Sequence, residues 1–159
     1  MNADHVVAVL RARRESVATC ESLTGGLVAA ELTSVPGASA VVRGGLVTYA
    51  TELKVSLAGV DPDVVRRFGV VSDQVAQAMA AGARRVCGAS WGIAVTGVAG
   101  PDEVDGLAPG TVWTAVAGPY EIRARSSHYH GDREQVRRAT VAGALDLLDE
   151  MLAQASIAR

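Results

Sequence analysis

The chain has 159 residues, a length suited to one domain that buries about two-thirds of its unfolded surface and needs no metal or disulfide staple. Hydrophobic residues make up 49% and charged residues 20%, with one Phe, two Trp and three Tyr, so the core must be built from Ala, Val and Leu. A formal net charge of −2 argues against general affinity for nucleic acid or anionic membrane, leaving only local phosphate contacts.

From its start the chain runs into Arg11, Arg13 and Arg14 without the long apolar run or cleavage site of a signal peptide. Cys20 and Cys87 lack CxxC or zinc spacing, so reduced thiols and a cytoplasmic location are expected. The longest uncharged run, Val86 to Pro101, contains four glycines and falls short of the ~20 apolar residues of a spanning helix. Asn2 can cap a first helix in which His5, Val6, Val9 and Leu10 fall at helical spacing, with His5 partly covered. Val17 to Cys20 reads as a strand, and Leu27 to Leu32 as a helix that stops near Val35-Pro36-Gly37.

Ala40 to Tyr49 reads as an extended run in which Gly44-Gly45 marks a bulge or a close approach. Helical spacing resumes from Ala50 to Leu57, carrying Lys54, and stops at Gly59. Asp61-Pro62 restarts a short helix that ends at Gly69. Ser72 caps the next, with Val75, Ala76, Met79, Ala80, Ala83 and Val86 as one apolar stripe and Arg84 and Arg85 near the negative end of its dipole.

Trp91 to Thr96 is apolar without alternation, the pattern of a central strand covered on both faces. Gly110 to Ala117 and Glu121 to Tyr129 read as an antiparallel pair joined at Gly118-Pro119, the second at an edge. Asp132 and Gln135 have capping-box spacing and open a long helix to about Ala155, with Val141, Leu145, Leu148 and Leu152 on one face. The order predicts one domain over residues 1–159, a three-layer α/β/α fold with a mixed sheet flanked by helices on both faces.

Chemistry-bearing residues gather at the strand ends. In open α/β sheets sites lie beyond the carboxyl ends of parallel strands, so Ser22 to Gly26, Tyr49 to Lys54 and Thr96 to Pro101 can share one crevice. Ser22 or Thr24 at the head of a helix can be a simple cap, or Ser22 can attack a carbonyl whose oxyanion the turn amides stabilise. A lysine near 10.4 must fall by ~3 units, a cost of about 4 kcal/mol, to act as a base at neutral pH. Lys54 must therefore be buried or crowded by positive charge, or Tyr49 must relay the proton; otherwise Tyr49 packs at a strand end and Lys54 is solvated. Thr96-Gly97 and Gly100-Pro101 can supply donors and a tight wall, and Arg133, in the first turn of the last helix, is either a phosphate contact or a surface arginine. His128 and His130 alternate onto one strand face without a further ligand, and no metal is assigned.

The stretches Glu21-Ser22-Leu23-Thr24-Gly25-Gly26, Arg43 to Tyr49, Gly69-Val70-Val71-Ser72, Thr96 to Asp102, Gly110-Thr111-Val112-Trp113 and Gly131-Asp132-Arg133, in this order and spacing, resemble the CinA C-terminal domain, the nicotinamide-nucleotide amidohydrolase family. The resemblance runs from about Val6 to Leu152. It implies hydrolysis of nicotinamide mononucleotide to nicotinic acid mononucleotide and ammonia, a step of pyridine-nucleotide salvage that needs neither metal nor cofactor. By the same resemblance Ser22 is the nucleophile with Tyr49 and Lys54 as catalytic partners. Thr96, Gly97, Gly100 and Arg133 contact substrate, and Thr24, Gly25 and Gly26 shape an anion-facing turn.

The chain has Leu23 where the family motif commonly has cysteine, a change expected to alter packing more than chemistry. Its acidic loop Glu103 to Pro109 lacks the lysine often found before the Gly-Thr-Val-Trp motif. It resembles the stand-alone form of the family, and the apolar last helix suggests a homo-oligomer. A catalytically silent pyridine-nucleotide-binding regulatory module is the competing expectation, and an assembly domain a third.

Overall fold

The computed structural model describes residues 3–157, so the cap expected from Asn2 lies outside the described residues. Helix α1 (Ala3–Arg13) leads into β1 (Val17–Glu21), α2 (Leu27–Thr33), a 3-10 turn at Ala38–Ala40 and β2 (Val42–Val47). Then come α3 (Thr51–Ser56), α4 (Pro62–Phe68) and α5 (Asp73–Cys87), followed by β3 (Trp91–Gly97), β4 (Thr111–Ala117), β5 (Ile122–His128) and α6 (Arg133–Ile157). The expected punctuation is in place. Asp61 accepts the Asp63 N–H at 2.8 Å ahead of Pro62, and Ser72 accepts the Val75 N–H at 3.3 Å. At the head of α6 the Asp132 N–H donates to Gln135 Oε1 at 2.8 Å while the Gln135 N–H donates to Asp132 Oδ1 at 2.9 Å, the reciprocal pair of a capping box.

The sheet order is β2-β1-β3-β4-β5. β1 is parallel to both β2 and β3, so all three end at one edge; β4 and β5 return antiparallel. β3 is central and β5 lies at an edge, as their patterns predict. Side chains alternate across the pleat and divide the core in two. Val17, Ile93, Val95, Val112 and Val116 face α1, α2 and α6, and there Leu145, Leu148 and Leu152 are buried. Ala18, Cys20, Ala94, Ala115 and Ala117 face α5 and its neighbour α4. The small residues on this second face let α5 lie close to the sheet: a Cβ on Gly92 would collide with the Ala80 carbonyl oxygen. The architecture is thus the expected three-layer α/β/α sandwich with a mixed sheet. No helix among the described residues is long and apolar enough to cross a membrane.

Gly44-Gly45 serves both purposes open to it. The β1/β2 register shifts between Val17 and Ala18, whose partners are Val42 and Gly44, so β2 carries a bulge. A Cβ on Gly45 would lie 2.5 Å from Thr19 Oγ1 and 3.3 Å from Ala29 Cβ. Three expectations need correction. The run from Ala40 begins in the 3-10 turn, and the strand proper starts at Val42 and ends at Val47, because the chain must turn over before pairing with β1. Val86 is 53% exposed, since the last turn of α5 passes the margin of the sheet. His5 is exposed and pairs with Asp149 at 3.2 Å on the outside of the α1/α6 contact.

Candidate active site

The shared edge of β2, β1 and β3 opens into a pocket of about 400 Å³. Ser22, Tyr49, Lys54, Thr96, Gly97, Gly100 and Arg133 all line it, so seven of the ten residues singled out from the sequence meet in one crevice. Thr24, Gly25 and Gly26 do not border it. They form the back of the turn that follows Ser22, where the Gly25 N–H donates to the Ser22 carbonyl at 3.0 Å and the Gly26 N–H to Glu21 Oε1 at 3.2 Å. Neither amide is therefore available to an oxyanion.

The cap of α2 belongs to Glu21, and to neither Ser22 nor Thr24. The carboxylate is buried and accepts the Val28 and Ala29 N–H groups at 2.8 and 2.9 Å, and the Thr24 hydroxyl at 2.6 Å. These donors, with the Thr19 hydroxyl at 3.3 Å, compensate the buried charge without a cation. Ser22 follows at once, its N–H donating to the Val95 carbonyl at 3.0 Å. Ser22 is thus pinned to the end of the central strand on one side and to a capped helix on the other.

Lys54 is 2% exposed, although it rides on a six-residue helix that looks solvent-facing in sequence. Its ammonium donates to the Thr48 carbonyl at 2.6 Å and to Ser22 Oγ at 3.1 Å. Burial lowers its pKa from the ordinary lysine value; Cys20 and Glu52 oppose the shift. Cys20 offers little counter-charge, because its own burial pushes the thiol up to about 11 and keeps it neutral at pH 7. A buried amine of depressed pKa touching a serine hydroxyl can take that hydroxyl's proton directly.

The remaining walls are held by hydrogen bonds. Thr96 Oγ1 donates to the Val70 carbonyl at 2.8 Å, tying the end of β3 to the loop before α5. Gly97 is required by its neighbour strand, since a Cβ there would lie 2.7 Å from the Thr111 carbonyl oxygen. Arg133 Nη1 donates to the Gly100 carbonyl at 2.7 Å and Nη2 to the Tyr49 hydroxyl at 3.1 Å. Tyr49 is 59% exposed, so it stands at the mouth beside Arg133 and is not packed at the strand end. Among the described residues no cluster of three or more His, Cys, Asp or Glu could hold a metal, and His128 and His130 merely meet edge to face at 5.1 Å.

Sequence reasoning missed Glu21, Thr48 and Arg137. Glu21 was legible in principle, as an acid between a strand and a helix head; Thr48 acts through its carbonyl, which no side-chain pattern reveals. Glu21→Gln tests the cap: the amide retains one acceptor but sets an NH2 against a backbone N–H. The expected loss is about 1–3 kcal/mol of stability, read from urea unfolding, and an unchanged midpoint would refute the cap's role.

Comparison with known proteins adds the lineage. The family model described as the CinA C-terminal domain matches residues 1–152. A CinA-like protein of Frankia casuarinae is 48% identical over 148 residues, covering 93% of this chain and 34% of that protein. One of Anaeromyxobacter dehalogenans is 50% identical over 148 residues, covering 91% and 36%. The chain thus spans about a third of the length of these curated relatives. Among solved structures, a CinA superfamily protein from Klebsiella pneumoniae superposes with a TM-score of 0.93 at 33% identity, covering 96% of each chain. The competence/damage inducible protein CihA from Agrobacterium tumefaciens gives 0.89 at 36% identity, covering 93% of this chain and 92% of that one.

Proposed function

The chain belongs to the CinA C-terminal domain family, and on that premise we propose that it hydrolyses the carboxamide of nicotinamide mononucleotide to nicotinic acid mononucleotide and ammonia. The observation that carries this reading is the buried Lys54 amine 3.1 Å from Ser22 Oγ at the floor of a pocket fringed by Arg133. With Lys54 neutral, the same contact runs the other way and the Ser22 hydroxyl donates to the amine.

Ser22 Oγ attacks the amide carbon as its proton passes to Lys54, and the carbonyl π pair moves onto oxygen. Collapse of this adduct breaks the C–N bond, and the departing nitrogen takes the proton from Lys54 and leaves as ammonia. Water then attacks the Ser22 ester and gives a proton to Lys54. The second collapse breaks the ester C–O bond and returns that proton to Ser22 Oγ, freeing the acid. Each half uses one base that becomes one acid, so no second proton carrier is needed. Tyr49, which lines the same pocket and accepts a hydrogen bond from Arg133, is the further catalytic partner and tunes the proton transfer.

Incubation of the purified protein with nicotinamide mononucleotide should release ammonia and nicotinic acid mononucleotide in equal amounts; absence of ammonia would overturn the reading. Arg133 supplies the phosphate contact. Losing one charge-assisted contact of about 1.5–3 kcal/mol means that Arg133→Ala should raise KM roughly tenfold to a hundredfold with a smaller change in kcat. The same variant should erase any preference for the nucleotide over nicotinamide riboside, which lacks the phosphate. A preference that survives would remove Arg133 from that role.

A further inference from the structure

Arg137 lies one turn beyond Arg133 on α6 but points behind the pocket, into the nucleophile turn. Its Nε donates to the Leu23 carbonyl at 3.1 Å and its Nη2 to the Thr24 carbonyl at 3.2 Å, while Nη1 is held by Glu134 at 2.9 Å. The guanidinium thus grips two successive peptide carbonyls with its fixed fork, and its own orientation is set by a carboxylate three residues earlier.

A trans peptide points its carbonyl and its N–H in opposite directions. The Ser22 carbonyl is engaged by the Gly25 N–H and the Leu23 carbonyl by Arg137. The N–H groups of Leu23 and Thr24, on the far sides of those two peptides, find no acceptor among the described residues. Every other amide from Ser22 to Ala29 that could serve has been spent: Ser22 on Val95, Gly25 on Ser22, Leu27 on Thr24, and Gly26, Val28 and Ala29 on Glu21. Ser22 and Leu23 border the pocket and Thr24 does not, so of the two unengaged donors the Leu23 N–H is the one on the segment that meets the substrate.

We propose that the Leu23 N–H receives the oxyanion formed when Ser22 attacks, and that Arg137, gripping the carbonyl of Leu23 itself and the next one along, is the positioning residue that holds the Leu23 backbone in that orientation. The proposal rests on the amide-hydrolysing reading of Ser22 and adds to it the donor and its support. Charge develops on the carbonyl oxygen only as the Ser22 Oγ–carbon bond forms, so the donor acts on the transition state and little on ground-state binding. Arg137 touches no substrate. Its i, i+4 relation to Arg133 gives one helix end both the contact at the mouth and the brace behind the nucleophile.

Arg137→Met and Arg137→Lys test it. Removing an oxyanion donor costs about 10²–10³ in rate, so Arg137→Met should lose on the order of a hundredfold in kcat for nicotinamide mononucleotide while KM stays within about twofold. Arg137→Lys, which can reach one carbonyl, should fall between. An analogue with an aldehyde in place of the carboxamide, which adds Ser22 reversibly, should lose affinity in proportion to kcat, whereas product affinity should not move. Equal losses for analogue and product, or an unchanged kcat, would overturn the proposal, with unfolding midpoints reporting any general loss of fold. Phosphonylation of Ser22 by a fluorophosphonate, which needs the same donor but no nucleotide, separates this proposal from the substrate assignment. If the wild type is silent on the nucleotide yet its labelling is slowed by Arg137→Met, the substrate assignment fails and the role of Arg137 stands; labelling at the wild-type rate would sink the role itself.

Discussion

Ser22→Ala is expected to abolish ammonia release from nicotinamide mononucleotide, by on the order of 10⁴-fold or more, the scale on which loss of a covalent nucleophile acts. The change removes one oxygen and little else. The Ser22 N–H keeps its bond to the Val95 carbonyl, the Glu21 cap does not involve the hydroxyl, and Lys54 retains the Thr48 carbonyl. Stability should therefore stay within about 0.5 kcal/mol of wild type, and calorimetry should find nucleotide affinity preserved, because the phosphate contact proposed for Arg133 does not involve the Ser22 hydroxyl. Rapid quenching with mass spectrometry should detect an ester on Ser22 in the wild type only. Undiminished release by the variant would exclude Ser22 as nucleophile, and release lost together with binding would make it a contact residue.

Where the sequence was informative, it was because punctuation and periodicity agreed. Asp61-Pro62, Ser72 and the Asp132/Gln135 pair each mark a helix start by a chemistry that the backbone then uses. The alternation of Trp91 to Thr96 failed because both faces are covered, and that failure itself placed β3 at the centre. From the parallel order of β2, β1 and β3 the meeting of Ser22, Tyr49 and Thr96 followed as topology.

What escaped reading depends on contacts distant in sequence. Arg137 grips carbonyls 114 and 113 residues away, and nothing in its helical neighbourhood distinguishes it from Arg138 beside it. The Glu-Ser-Leu-Thr-Gly-Gly stretch suggested a glycine-lined anion turn, but the Gly26 amide goes to Glu21 and the Gly25 amide to the Ser22 carbonyl, leaving the pocket side to Leu23. The burial of Lys54 is of the same kind. A lysine at the fourth position of a short helix carries no local mark of being enclosed, and only its distant contacts, to the Thr48 carbonyl and the Ser22 hydroxyl just beyond β2 and β1, reveal it.

That enclosure makes Lys54→Met the most revealing single change. Activity should fall by on the order of 10³-fold or more, since in the proposed route the general base and the acid for the leaving nitrogen are one group. Stability should move the other way. The variant forfeits a hydrogen bond to the Thr48 carbonyl, worth about 0.5–1.5 kcal/mol, but it removes an ion whose desolvation costs several kcal/mol, and the thioether chain fills similar space. A net gain of about 1–2 kcal/mol at pH 7 is expected. The sign of the pH dependence follows from the lowered folded-state pKa. Below that value Lys54 is charged in both states and the wild type bears the whole cost of burying it. Between the folded value and the unfolded one, near 10.4, the folded protein has shed its proton and the unfolded chain has not, so wild-type stability rises with pH relative to the variant. The advantage of Lys54→Met should therefore shrink as pH climbs through the folded-state value. Wild-type kcat should rise over the same interval, because only the neutral amine can take the serine proton. Urea unfolding of both proteins from pH 6 to 10 and the kcat profile should share one inflection. If the stability gap is flat while activity titrates, the titrating base is a group other than Lys54.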